Sequence, residues 1–256
     1  MKKNATFFCL FLFLGINAYS QCYQIIQDAT CEKKCYSLNQ AITNPNNVTY
    51  LDLSNQNLDK VPYQLSNFKN LKVLILDNNN LTEIGYYLSY LKNLEVLSIR
   101  NNSITEIGYY ISYLKNLKEL YLDGNKIEEI GYYTSYLRNL ETLSLKRNEI
   151  EEIGYYTSYL KNLKVLYLDK NNIKEIGYYT SYLKNLQVLS LKHNEISEIG
   201  YYTSYLTSLK ELYLDGNKVH NPSYYYLSNL KNLQLVSLKG NQESHGSKWG
   251  NCAIIY

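Results

Sequence analysis

The chain has 256 residues, of which 45% are hydrophobic, 19% charged and only 3 proline, so it carries enough apolar material for a packed core and lacks the composition of a disordered polymer. Its formal charge is +3 at pH 7, and setting aside Lys2 and Lys3 of the leader leaves 24 basic against 23 acidic side chains, which speaks against bulk attraction to nucleic acid or anionic membrane. The 30 tyrosines beside one tryptophan and one methionine point to a repeated phrase instead of a general aromatic preference.

In chain order, "MKKNATFFCLFLFLGINAYSQ" opens with two lysines, runs apolar from Phe7 to Ile16 and places Ala18 and Ser20 before Gln21, the pattern of a secretory leader over 1–20 cleaved near Ser20. The apolar run is short for a membrane span, and Gln21 before Cys22 does not suit lipid attachment; the expectation is a secreted or cell-envelope protein with no integral membrane segment in the mature chain. Export favours disulfides, but Cys22, Cys31 and Cys35 lie near the start and Cys252 near the end, so the pairing stays open. The C-x8-C-x3-C spacing is wide for structural zinc and has no histidine nearby. Residues 21–47 are expected to form a stapled N-terminal cap in which "CEKKCYSLNQAITNP" is a short helix halting before Pro45.

From Val48 a 23-residue unit recurs, starting again at Leu71, Leu94, Leu117, Leu140, Leu163, Leu186 and Leu209, with a partial unit at Leu233. Its first half reads L-x-x-L-x-L-x-x-N-x-I/L, as in Leu117, Leu120, Leu122, Asn125 and Ile127. This pattern resembles the leucine-rich repeat family, over roughly residues 48–241. The resemblance implies an α/β solenoid, a curved right-handed superhelix with parallel strands on its concave face, acting as a non-enzymatic binding scaffold for a protein, peptide or glycan. The signal, the first-unit "NPNNVTYLDLSNQNLDKVP" and the short units look like exported bacterial members. Physical reasoning runs the same way: alternating leucines fit one side of a short strand, no single unit buries its leucines alone, and stacking unites them. Asn79, Asn102, Asn125, Asn148, Asn171, Asn194, Asn217 and Asn241 should form a buried amide ladder, with Gln56 as the departure in the first unit.

The return half carries "EIGYYTSY" or a close variant six times, beginning at Glu83, Glu106, Glu129, Glu152, Glu175 and Glu198. Glycine there replaces Pro62 and is expected to permit a tight turn; threonine replaces Leu88 and Ile111 from Thr134 onward, so one ring of each pair such as Tyr132 and Tyr133 should pack inward while others contact rings of adjacent units. The glutamate column reads as a solvated rim, with Lys92, Lys115, Arg138, Lys161 and Lys184 as partners or screening charges. Residues 242–256 should form a less regular C-terminal cap, with Trp249, Ile254 and Ile255 over the last leucines.

On the strand face the position after the second leucine alternates in sign, Asp77, Arg100, Asp123, Lys146, Asp169, Lys192, Asp215, Lys239, and the second position of each unit runs Lys72, Glu95, Lys118, Glu141, Lys164. The true period is therefore two units, and neighbouring strands about 4.8 Å apart set acid beside base. Tyr121, Tyr167 and Tyr213 should project roughly 10 Å apart with serines between them. These tyrosines, with Asp123, Lys146, Asp169, Lys192 and Asp215, are the candidate partner-binding residues; His193 lies near the strip. No nucleophile elbow, phosphate loop or metalloprotease motif occurs, so neither catalysis nor a cofactor or metal is expected. The alternative is a structural component whose tyrosine-rich convex face joins identical chains.

Overall fold

A computed structural model describes residues 34–35, 37–220, 224–241 and 253–255, all within a compact unit spanning Glu32–Tyr256. The leader, Cys22, Cys31, Cys252 and Trp249 fall outside the described residues, and so do the side chains of Cys35 and Ile254.

Each unit contributes one strand to a single eleven-stranded sheet ordered β1 to β11 as in the chain. The strands are β1 (Lys34–Cys35), β2 (Tyr50–Asp52), β3 (Val73–Ile75), β4 (Val96–Ser98), β5 (Glu119–Tyr121), β6 (Thr142–Ser144), β7 (Val165–Tyr167), β8 (Val188–Ser190), β9 (Glu211–Tyr213), β10 (Leu235–Ser237) and β11 (Ala253–Ile255). All pairs are parallel, and the register joins equivalent positions of successive units, Leu120 to Leu143 and Tyr121 to Ser144 for example. Repeat number thus becomes position along the axis.

The two end strands extend the sheet where the sequence suggested caps of other kinds. Lys34 and Cys35 pair with β2 instead of belonging to the capping helix, which is a single turn at Leu38–Ala41 before a 3-10 turn at Pro45–Asn47. Ala253–Ile255 pairs with β10, the Leu238 N–H donating to the Ile255 carbonyl at 2.7 Å, so this segment adds a last strand to the sheet. Neither segment carries the repeat pattern; what joins them is the unpaired backbone of an edge strand.

The core is a set of columns. Leu117, Leu120, Leu122, Ile127, Leu137 and their counterparts in the other full units are buried, except Leu58 of the first unit, which is half-buried. The asparagine ladder closes the turn after each strand: Asn148 accepts the Ile127 N–H at 3.0 Å and donates its amide to the carbonyls of Leu122 at 3.0 Å and Lys146 at 3.3 Å. The same bonds recur from Asn79 to Asn241. One residue before each asparagine the backbone is left-handed, with φ between 51° and 71° at Asn101, Gly124, Arg147, Lys170, His193, Gly216 and Gly240. His193 is one member of that exposed turn column. At Gly124 the conformation and the space both matter, because a Cβ there would strike the Asn101 amide oxygen.

The return segments are five-residue 3-10 helices, among them Tyr86–Tyr90, Tyr109–Tyr113, Tyr132–Tyr136, Tyr155–Tyr159, Tyr178–Tyr182 and Tyr201–Tyr205. In several of them the fourth residue turns its hydroxyl back on the chain: Ser112 donates to the Tyr109 carbonyl and Ser135 to the Tyr132 carbonyl, each at 2.7 Å. The preceding glycines do not make a tight turn. Gly108 to Gly200 have φ from −72° to −79° with extended ψ, an ordinary conformation close to that of Pro62, and at Gly85 the constraint is space, since a Cβ would meet Val61 at 2.9 Å.

Candidate functional site

The strand face is built from paired units. Within β5 the middle residue Leu120 enters the core while Glu119 and Tyr121 share the opposite side, and the Tyr121 hydroxyl donates to the Glu119 carboxylate at 2.7 Å. Tyr213 repeats this with Glu211 at 2.8 Å. Glu119 and Glu211 were not among the sequence candidates, although "LKELYLDGNK", recurring unchanged at Leu117 and Leu209, contains them.

Each tyrosine lies beneath a cation from the preceding unit. The Arg100 guanidinium is 4.2 Å from the Tyr121 ring centre, the Lys146 ammonium 4.0 Å from that of Tyr167 and the Lys192 ammonium 4.4 Å from that of Tyr213. Tyr121 and Tyr213 are only 3% and 5% exposed, and Tyr167 is half-buried. The rings are therefore the floor of the face and not stacking platforms standing out from it. Burial, then the charges of Glu211, Asp169 and Asp123, pushes the Tyr167 phenol up to about 12. Tyr213 is raised as well, by burial and then by its bond to Glu211.

The aspartates face both ways. One oxygen of Asp123 accepts the Ser144 hydroxyl and the Lys146 N–H, the latter at 2.8 Å, and the other oxygen accepts from Arg100 Nε at 3.1 Å. Asp169 takes the Ser190 hydroxyl, the Lys192 N–H at 3.0 Å and the Lys146 ammonium at 3.7 Å. Asp215 does the same with Ser237, Lys239 and Lys192, the ammonium at 3.2 Å. Burial raises Asp77 above its ordinary value against the opposing pull of Ser98 and Arg100. The structure thus brings Tyr121, Tyr167, Tyr213, Asp123, Lys146, Asp169, Lys192 and Asp215 into one continuous strip, with Arg100 as its N-terminal member.

The second-position ladder closes in the same manner. Glu95 sits between Lys72 at 3.2 Å and Lys118 at 2.6 Å, and Glu141 takes Lys164 at 2.7 Å. Burial works to raise Glu95, yet the two lysines hold it below the usual glutamate value. Beside this ladder runs a groove of about 610 Å³ lined by Asn70, Asn93, Asn116, Asn139 and the charged pairs.

On the opposite face the second tyrosine packs inward in the pairs at Tyr86 and Tyr132: Tyr87 and Tyr133 lie against the core, while Tyr86 and Tyr132 are 47% and 48% exposed, and in the last pair Tyr202 too is exposed. Contact between units is edge to face, Tyr109 to Tyr133 and Tyr132 to Tyr156 each at 5.4 Å. Thr134, Thr157, Thr180 and Thr203 are fully buried; the Thr134 and Thr180 hydroxyls donate to glycine carbonyls at 2.6 Å, and those of Thr157 and Thr203 have no partner. Among the described residues no ion pair joins the glutamate column to Lys92, Lys115, Arg138, Lys161 or Lys184, no cluster of His, Cys, Asp and Glu is placed to hold a metal, and no helix is long and apolar enough to cross a membrane.

The family model described as leucine rich repeat matches residues 69–127, 115–173, 138–196 and 161–219, which together run from 69 to 219. A leucine-rich repeat protein of Leptospira interrogans shares 28% identity over 84% of this chain and 67% of its own, with a TM-score of 0.63. Internalin C2 of Listeria monocytogenes shares 26% over 77% of this chain and 83% of its own, with a TM-score of 0.68. The plant peptide hormone receptor RGFR1, solved in complex with RGF2, shares 28% over 82% of this chain but only 34% of its own, with a TM-score of 0.65. A sequence comparison with curated proteins gives no match.

Proposed function

Because the chain belongs to the leucine-rich repeat family, whose members are generally non-enzymatic binding scaffolds, we propose that it is an exported, non-catalytic scaffold that holds an extended peptide or protein segment along its strand face. One observation carries the reading: every second unit presents a lysine whose ammonium is steadied over a tyrosine ring yet stays open, the Lys146 and Lys192 side chains being 37% and 35% exposed. Their ion pairs, at 3.7 and 3.2 Å, are loose enough for an incoming carboxylate to replace. The likeness to a receptor captured with a peptide hormone supports the choice of partner.

Lys146 and Lys192 are two strands apart, about 10 Å, and a peptide in the extended polyproline II form advances about 3.1 Å per residue with about three residues per turn, so acidic side chains at every third position point the same way and match the lysines. Sugar rings are a poorer fit for this face, since the tyrosines on which they would stack are covered. Panning a displayed 12-mer library on the native protein should enrich peptides with that acidic spacing, and Lys146→Glu/Lys192→Glu should lose them. Equal enrichment on both proteins would place the contact elsewhere. Export rests on the leader over 1–20, and N-terminal sequencing of the protein recovered outside the cell is expected to begin at Gln21.

A further inference from the structure

Among the described residues, three lines of cations recur at fixed positions of the unit, and two of them are paired with carboxylates: the Arg100, Lys146 and Lys192 line with aspartates and the Lys72, Lys118 and Lys164 line with glutamates. The third line, Lys69, Lys92, Lys115, Arg138, Lys161 and Lys184, leaves the 3-10 helices on the convex side. All six are exposed, and among the described residues none forms an ion pair with a carboxylate. The lysines rest instead on aromatic rings of the next unit, Lys92 at 4.4 Å from the Tyr113 ring centre, Lys115 at 4.5 Å from Tyr136, Lys161 at 4.9 Å from Tyr182 and Lys184 at 4.8 Å from Tyr205. Stacked units set these charges about 5 Å apart, where like charges repel by about 0.8 kcal/mol per neighbour in water. The crowding is felt: burial, then Arg138 and Lys92, holds Lys115 below the ordinary lysine value, and burial, then Lys161, does so for Lys184.

Beside this row runs an exposed band of phenols. Tyr109, Tyr132, Tyr155 and Tyr178 are each 48–49% exposed, and their hydroxyls pair within the unit, Tyr132 with Tyr136 and Tyr155 with Tyr159 at 2.6 Å. One proton serves each pair, leaving the second hydroxyl hydrogen free to donate outward. Apolar ring edges alternating with hydroxyls suit sugar rings, which present C–H faces and hydroxyls together. The convex glutamates precede each 3-10 helix and the cations follow it, nine residues on; the five-residue helix between them alone spans about 10 Å, and the Debye length at physiological salt is about 8 Å, so the glutamates do not cancel the row.

We propose that this ridge is a track for a linear anionic polysaccharide bearing a carboxylate or sulfate on successive sugars. One acid group per sugar meets one cation per unit, and the polymer supplies the carboxylate or sulfate partner that none of these cations has among the described residues. The choice of polysaccharide over nucleic acid follows from the rings: packed edge to face at 5.4 Å, they leave no slot for a base to enter. The track is on the opposite face from the proposed peptide strip and stands or falls independently of it.

The test is calorimetric titration of the native protein with a heparin dodecasaccharide, a polygalacturonate oligomer and an oligothymidylate of matched charge, at low and moderate salt. Expected is salt-weakened binding of both glycans, lost at least tenfold in Lys92→Gln/Lys115→Gln/Lys161→Gln/Lys184→Gln and in part in the milder Lys92→Gln/Lys161→Gln. Tyr132→Ser/Tyr155→Ser, with all cations kept, should weaken it several-fold, and Lys146→Glu/Lys192→Glu should leave it unchanged, with circular dichroism confirming the fold of each. No glycan binding at low salt, undiminished binding by both glutamine variants, or tighter binding of the oligothymidylate than of either glycan overturns the proposal.

Discussion

Replacing Asn148 by alanine tests how the turns between strands and helices are held. The substitution leaves the Ile127 N–H, inside the solenoid, with no acceptor, whereas the carbonyls Asn148 served keep other donors: Leu122 retains the Asn125 amide at 2.9 Å and Lys146 retains the Gly124 N–H at 2.7 Å. A buried donor left unpaired costs about 1–3 kcal/mol, and the space vacated by the amide adds about 1 kcal/mol, so the expected loss is about 2–4 kcal/mol. Asn162 is the control, an exposed asparagine with a single bond to the Arg138 carbonyl at 2.8 Å, and Asn162→Ala should cost about 0.5–1 kcal/mol. Urea unfolding followed by circular dichroism gives both values, and hydrogen exchange at the Ile127 amide reports the orphaned group directly. If Asn148→Ala costs no more than Asn162→Ala, or if the Ile127 amide keeps its protection, the ladder is not what holds the turns.

Three further outcomes follow from the same geometry. Thr157→Val removes a buried hydroxyl that has no partner and should raise stability by about 1 kcal/mol, while Thr134→Val, which gives up a bond to Gly131, should not; a reversed order in urea midpoints defeats the reasoning. Tyr167 is protonated up to about 12 in the fold against 10.0 when unfolded, so its contribution is intact below pH 10 and fades as pH rises towards 12. Tyr167→Phe should accordingly lose less stability than the native protein across that interval, as read from unfolding midpoints at each pH. Deleting residues 140–162 sets Asp123 beside Asp169 without Ser144 or Lys146 between them, whereas deleting 140–185 sets Asp123 beside Ser190 and Lys192 and restores the pattern. The shorter protein should therefore have the higher urea midpoint, and the opposite result would show that the alternation of units carries no energy.

The sequence was most informative where one residue type recurs in one column. Leu120 and Asn125 announce a strand and a turn because their neighbours along the axis are copies of themselves, so one unit's environment is every unit's environment. It was least informative where a side chain reaches across a joint. The burial of Tyr121 is decided by Arg100, 21 residues earlier, and the tyrosine's own unit gives no hint of that cover. Glycine likewise suggested a tight turn at Gly108, but the backbone there has φ −72° and extended ψ, a conformation most residues accept. Strands β1 and β11 escaped notice because edge pairing uses backbone groups that every residue has.

The ion pairs along the tyrosine strip each span a single joint: Arg100 reaches Asp123 and also Asp77, while Lys146 reaches Asp169 and Lys192 reaches Asp215. A guest that draws Lys146 away from Asp169 leaves Asp169 still anchored by Ser190, and the disturbance ends there. Such a surface behaves as a row of separate latches, in which affinity accumulates contact by contact and loss of one leaves its neighbours as strong as before.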